Sequence, residues 1–322
     1  MRYIILEVYA KMNCSAENGI LDWTSDKRTN MSNVKSWIIA ARPKTLTAAV
    51  VPILASTGLV MSEGIQIQWW INICALMASF FIQIGTNLVN DAMDHKKGAD
   101  TDTRTGPIRV TQQGIFTFKQ VMWAATLCFA VSIGFGIPLV IHGGLPIMII
   151  GLISVVMGYA YTAGPFPLAY KGLGDLFVII FFGLVAVGGM YYLLTGNYSW
   201  AAFILGLQIG FLSTVLIAIN NLRDIHEDKL VNKKTLAVRL GVGPAKMWIC
   251  FLIVAPFIAG YYWLFQNKIY FYAVPMLCLP LGISVMKKII RTNPSSQYNK
   301  YLAMSSAYAM LFSILFFVGT RV

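Results

Sequence analysis

Two short stretches of this chain gather oxygen-bearing side chains at spacings that suit the binding of a hard cation. The first, "NLVNDAMDHKK" (87–97), carries Asn87, Asn90, Asp91 and Asp94, and is followed by Lys96, Lys97, Arg104 and Arg109. The second, "INNLRDIHEDKLVNKKT" (219–235), carries Asn220, Asp224 and Asp228 among Arg223, Lys229, Lys233 and Lys234. On a helix, Asn87, Asp91 and Asp94 share a face, as do Asn220, Asp224 and Asp228. Asn87-to-Asp91 and Asn220-to-Asp224 repeat one spacing, a faint internal repeat with one polar box in each half. A lone acid at such a position is most simply a solvated one. Two boxes brought face to face would repel each other unless a cation sat between them. Oxygen donors of this kind suit Mg²⁺, which takes one or two carboxylates together with substrate phosphate and water. His95 and His226 flank the boxes, but no histidine pair stands at transition-metal spacing. Acids for Mg²⁺ beside Lys and Arg for an anion make a diphosphate site.

The elements that must position these boxes are greasy. The chain of 322 residues is 57% apolar and 12% charged, and its mean hydropathy is +0.66. Repeated apolar runs of nearly twenty residues must be helices, because unpaired backbone groups in hydrocarbon cost several kcal/mol each. The fold class is therefore all-α, a polytopic membrane protein. Nine spans are expected, at about 45–62, 69–90, 121–141, 145–162, 174–194, 200–221, 247–265, 269–286 and 301–319. Of the 25 Lys and Arg, 23 fall in alternate connections and the N-terminal segment. The positive-inside rule then places the N-terminus and the long polar loops in the cytoplasm and the C-terminus outside. The net charge of +12 is accounted for by this orientation and implies no nucleic acid. Trp69, Trp70, Tyr198, Trp200, Tyr261 and Tyr262 lie near span ends, the usual place of an interfacial aromatic belt. Cys14, Cys74, Cys128, Cys250 and Cys278 form no CxxC pair, which argues against a disulfide framework or a zinc site. Residues 1–35 are expected to be a poorly ordered extension, with the working domain at 36–322 and Met31 a natural start.

Both boxes fall at cytoplasmic ends of spans, where water meets hydrocarbon. The natural substrate there has a charged head and a long lipid tail, as a polyprenyl diphosphate does. Metal and cations stabilise the charge on departing pyrophosphate, and an apolar cavity keeps the allylic cation from water. Between spans four and five, "YTAGPFPLAYKGLGD" (161–175) turns the chain at Gly164, Pro165 and Pro167 and sets Tyr161, Lys171 and Asp175 at the same rim. Arg42 and Lys44 open the first span; they are candidates for the same mouth or simple snorkelling anchors.

From about residue 36 onward the chain resembles the UbiA superfamily of intramembrane aromatic prenyltransferases, and within it the branch that prenylates 1,4-dihydroxy-2-naphthoate in menaquinone biosynthesis. The resemblance is carried by "ARPKTL" (41–46), "NLVNDAMDHKKGADTDTRTGPIRV" (87–110), "YTAGPFPLAYKGLGDLFVIIFFG" (161–183) and "INNLRDIHEDKLVNKKTLAVRLG" (219–241). It implies nine helices around a central cavity that opens laterally to the bilayer and is capped on the cytoplasmic side of an inner membrane. It implies Mg²⁺ and diphosphate bound by Asn87, Asp91, Asp94, Asn220, Asp224 and Asp228, with Asn90 beside them. Arg109, Lys171 and Arg223 are then direct contacts to diphosphate or to the acceptor, and Asp175 is a further site candidate. The partners implied are a polyprenyl diphosphate, the naphthoate and the lipid bilayer. Other aromatic acceptors, such as 4-hydroxybenzoate, homogentisate or a haem vinyl group, fit the two boxes alone. A cation transporter would place its acids near the bilayer midplane, which here is almost free of charge. The closely spaced DG and AR signature of a CDP-alcohol phosphotransferase is absent.

Overall fold

A computed structural model describes residues 33–98, 106, 109–163 and 167–322. The expected extension falls mostly on residues 1–32, outside the described residues, as do Asp100, Asp102, Arg104, Gly164 and Pro165. Helix α1 (Asn33–Ala41) gives way after one residue to α2 (Pro43–Ser62). Pro43 disfavours helical backbone at Arg42 and pre-forms the first turn of α2. Arg42 takes the left-handed conformation, with φ 53° and ψ 68°.

Helix α3 (Trp69–Lys96) has 28 residues. At 1.5 Å per residue that is about 42 Å, longer than the ~30 Å hydrocarbon layer, so its last turns carry the first box out to the rim. Helix α4 (Phe118–Ala160) opens with a capping box between Thr117 and Gln120. Its 43 residues suffice for two crossings, and Gly144 (φ 68°, ψ −153°) breaks it in the middle. Helix α5 (Gly174–Thr195) contains a π-helical segment, Ile179–Val185, and stops at the left-handed Gly196. Ser199 caps α6 (Trp200–Arg223), which leads into the short α7 (Ile225–Leu230). Thr235 caps α8 (Leu236–Leu240), followed by α9 (Val242–Phe265). Helices α10 (Ile269–Met276) and α11 (Leu279–Arg291) are bent by 47° where Pro275 and Pro280 flank their junction, and α12 (Tyr298–Gly319) completes the bundle.

Counting α4 as two crossings and the bent α10–α11 pair as one gives nine among the described residues, each overlapping an expected span. The largest core lies between α2, α5, α6, α9 and α12, where Leu59, Ile209, Leu212, Ile219, Trp263, Phe312 and Phe316 are fully buried. Within it Trp263 Nε1 donates to Gln208 Oε1 at 2.9 Å, and Gln208 Nε2 donates to the Pro256 carbonyl at 2.8 Å. A second core joins α1, α3 and α4 through Leu88, Val89, Ala92, Val121, Ala125 and Phe129. The outer face of α4 presents Trp123, Leu127, Ile137, Ile141 and Leu152 outward. In water such a face would be a liability; in a bilayer it is solvated by acyl chains. The protein is an integral membrane protein.

Candidate active site

A cavity lies where α3 and α6 end. Asn90 and Asp94 of α3 stand on its wall with Asn220 of α6, Asp224 at the α6–α7 junction, and Glu227 and Asp228 of α7. Arg42, Arg109, Tyr161 and Lys233 line it as well. Folding has therefore set the two boxes on one cavity, with cations between them.

Each acid is engaged. Asp94 Oδ2 accepts from Arg109 at 2.8 Å and Oδ1 from the Tyr170 hydroxyl at 2.9 Å. The Tyr170 ring has Lys97 Nζ 4.2 Å from its centroid and Lys233 Nζ at 5.5 Å. Asp224 receives Arg223 on both oxygens, at 2.6 and 2.7 Å. The same guanidinium donates to Asn220 Oδ1 at 2.8 Å and Asn299 Oδ1 at 2.7 Å. Asp228 Oδ1 is 3.3 Å from Lys233 Nζ. Burial pushes the Asp228 carboxyl up to about 6, Lys233 opposes this, and the Asp224 and Asp94 charges add to it. For Lys233 burial favours the neutral amine, but Asp94, Asp228 and Asp224 outweigh that and raise it above its ordinary value. The Tyr170 hydroxyl is held protonated by burial and by Asp94.

Of the residues expected at the site, Arg42, Asn90, Asp94, Arg109, Tyr161, Asn220, Asp224 and Asp228 reach the wall. Six others do not. Asn87 and Asp91 bond to groups of neighbouring segments: Asn87 Nδ2 donates to the Ala41 carbonyl at 3.0 Å and to Thr45 Oγ1 at 3.1 Å. Asp91 accepts from the Val110 and Thr111 N–H groups at 3.2 and 3.1 Å. At 3.6 residues per turn, Asn90 and Asp94 form one stripe of α3 and Asn87 with Asp91 the next, about 60° away, so a single polar face divides between two environments. Arg223 is buried behind Asp224 and Asn220. Lys44 and Lys171 are exposed and do not line the cavity. Asp175 is buried at the start of α5, in a neighbouring cluster where its carboxylate accepts from Trp248 Nε1 at 2.8 Å and Asn221 Nδ2 at 3.5 Å.

The sequence profile of the UbiA prenyltransferase family matches residues 49–314. The chain belongs to the UbiA prenyltransferase family. Among proteins similar to this UbiA-family chain is the 1,4-dihydroxy-2-naphthoate octaprenyltransferase of Haemophilus influenzae, 31% identical over 91% of this chain and 98% of that protein. The protein of the same name from Mycobacterium tuberculosis is 35% identical over 67% of this chain and 74% of its own length. Among solved structures, a UbiA homologue from Archaeoglobus fulgidus bound to DMAPP and Mg²⁺ superposes with a TM-score of 0.61 at 15% identity, over 89% of this chain and 99% of that one. At that identity the likeness concerns the fold.

Several groups of the candidate site in this UbiA-family chain were not singled out from sequence. Lys233 was one cation among several following the second box; what brings it in is the left-handed Asn232 (φ 55°), which reverses the chain so that the Lys233 N–H returns to the Asp228 carbonyl at 2.8 Å. An Asn before a Lys pair, just past a short helix, was the available signal. Tyr170 lies in a 3₁₀ turn, Leu168–Tyr170, and Asn299 arrives from α12, too far along the chain for any local pattern to show. Glu227 and Asn221 were visible only as neighbours of the box residues. The wall fits a hard cation: its donors are carboxylate and amide oxygens, and Asp228 Oδ2 is buried without a hydrogen-bond partner. Among the described residues no three Asp, Glu, His or Cys converge on one point.

Proposed function

We propose that this protein transfers a polyprenyl group from a polyprenyl diphosphate to 1,4-dihydroxy-2-naphthoate, with Mg²⁺ as cofactor and with loss of CO₂. The observation that carries this reading is the single cavity on which Asp94 of one box meets Asp224 and Asp228 of the other, among Arg42, Arg109 and Lys233. The naphthoate acceptor is supported by the similarity to relatives that carry that activity in their names. Asp94 with Asn90 on one side of the cavity, and Asp224 and Asp228 with Asn220 on the other, would hold Mg²⁺, which when bound neutralises the charge on pyrophosphate as it leaves. Arg42, Arg109 and Lys233 bind the diphosphate oxygens and share in stabilising that charge. The allylic C–O bond breaks with its electron pair on the diphosphate, and the bundle excludes water from the carbon left behind. The electron-rich naphthoate ring forms the new C–C bond at its carboxyl-bearing carbon. The C–CO₂⁻ pair then returns to the ring as CO₂ departs, leaving a quinol that yields demethylmenaquinone on oxidation. The clustering of Lys and Arg on this side of the bundle supports a cytoplasmic mouth, with the N-terminus inside and the C-terminus outside.

The test is an assay of membranes containing the protein, with prenyl diphosphates of several lengths and with naphthoate or 4-hydroxybenzoate as acceptor. Naphthoate should be prenylated and decarboxylated, and chelation of divalent cations should stop the reaction. Preference for the benzoate, or full turnover under chelation, would overturn the corresponding part of the reading.

A further inference from the structure

The outer stripe of the first box does not line the cavity, yet both of its polar side chains are buried and hydrogen-bonded. Asn87 is 5% exposed and Asp91 is 2% exposed. Their partners are backbone groups and one hydroxyl close to two cavity arginines. Asn87 donates to the carbonyl of Ala41, which precedes the left-handed Arg42 between α1 and α2, and to the Thr45 hydroxyl, which itself donates to the Arg42 carbonyl at 2.9 Å. Asp91 takes the N–H groups of Val110 and Thr111, which follow Arg109 directly. The turn after Arg109 is closed by Gln113 N–H to the Arg109 carbonyl at 3.0 Å and Ile115 N–H to the Val110 carbonyl at 3.0 Å. The side chains match their partners in kind. An amide NH₂ meets a carbonyl and a hydroxyl, while a carboxylate meets two backbone donors. Arg42 has a left-handed backbone and Arg109 lies outside any regular helix, so the backbone at each is braced by these bonds and not by a helical ladder.

We propose that Asn87 and Asp91 are positioning residues: they brace the backbone on which Arg42 and Arg109 sit, and so aim both guanidinium groups at the diphosphate, without ligating metal. This rests on the diphosphate reading above and divides the first box by task. Asn90 and Asp94 face the substrate, while Asn87 and Asp91, one stripe round the helix, hold the cations that face it.

The experiment compares N87A and D91N with D94N in the purified full-length protein, measuring prenyl transfer and, separately, calorimetric binding of inorganic pyrophosphate with Mg²⁺. N87A and D91N should each raise the KM for prenyl diphosphate and weaken pyrophosphate binding by about tenfold, the loss of one well-placed charged contact. The half-saturating Mg²⁺ concentration and the acceptor KM should stay at wild-type values, whereas D94N should shift the Mg²⁺ requirement. Adding R109Q to D91N, or R42Q to N87A, should cost nothing further, because each pair acts through one guanidinium. A Mg²⁺ requirement in D91N displaced as in D94N, or additive losses in the double variants, would overturn the proposal. Should D91N not fold, R42Q and R109Q keep both braces and must still raise the KM; an unchanged KM in them also overturns it. A wild-type protein that binds no Mg²⁺–pyrophosphate at all would instead defeat the diphosphate reading itself.

Discussion

Asp94, Asp224 and Asp228 each meet a protein cation, respectively Arg109, Arg223 and Lys233. Buried carboxylates left alone would be costly, and these pairs offset much of that cost. The offset is least complete at Asp228, whose second oxygen has no hydrogen-bond partner and whose carboxyl sits near 6. The sign of the pH dependence follows. Because the folded value lies above the ordinary carboxylate value, the metal-free fold takes up a proton as pH falls through about 6 and gains stability relative to the unfolded chain down to about pH 4. A divalent cation needs the same oxygens ionised. Mg²⁺ with pyrophosphate should therefore raise the melting temperature at pH 8 and do so much less at pH 5, a contrast that differential scanning fluorimetry in detergent would read. Equal shifts at both pH values would remove Asp228 from the metal set.

At the level of elements, α6, the helix that ends at the second box, packs closely against α5. A Cβ on Gly210 would come 2.8 Å from the Ile179 carbonyl oxygen, and one on Gly183 would lie 2.6 Å from Gly210 Cα. Close packing of small residues is how helices associate where no hydrophobic force separates them from lipid. Gly210→Leu should push α5 off α6 and lower stability by about 3 kcal/mol or more. Gly134→Leu, on the first half of α4 with nothing near its Cβ, should be neutral in the same thermal assay. The turn that delivers Lys233 is a second such element. Asn232 tolerates its positive φ, so Asn232→Gly should keep both stability and transfer, whereas Asn232→Ile should cost about 1–2 kcal/mol and reduce transfer through a displaced Lys233.

On the scale of the whole molecule, the lopsided distribution of Lys and Arg predicts which side of the membrane the cavity opens on. A cysteine placed at the exposed Lys229 should react with an impermeant thiol reagent only after the cytoplasmic side is opened to it. One at Asn197, in the connection between α5 and α6, should react from outside. The reverse pattern would invert the orientation while leaving the chemistry intact. The nine crossings among the described residues were legible in one dimension, because a bilayer forces every spanning segment to be apolar and helical for about twenty residues. Even so, α3 runs to Lys96, six residues beyond its expected end, and the α10–α11 crossing is bent, since hydropathy marks the oily stretch and not where the hydrogen-bonded helix stops.

The sequence alone determined the class of protein, the count of its crossings and the two polar boxes, since each depends on residue type and short-range spacing. The tertiary structure decided which box residues meet. Periodicity gave α3 one polar face, but only the neighbours of that face could divide it, leaving Asn90 and Asp94 to the cavity and turning Asn87 and Asp91 to groups of α1, α2 and the 109–115 turn. The same holds for Tyr170, Lys233 and Asn299, which reach the site through a 3₁₀ turn, a left-handed residue and the last helix. A side chain's partners are set by distance in space, and in this bundle those distances arise from contacts between segments far apart along the chain.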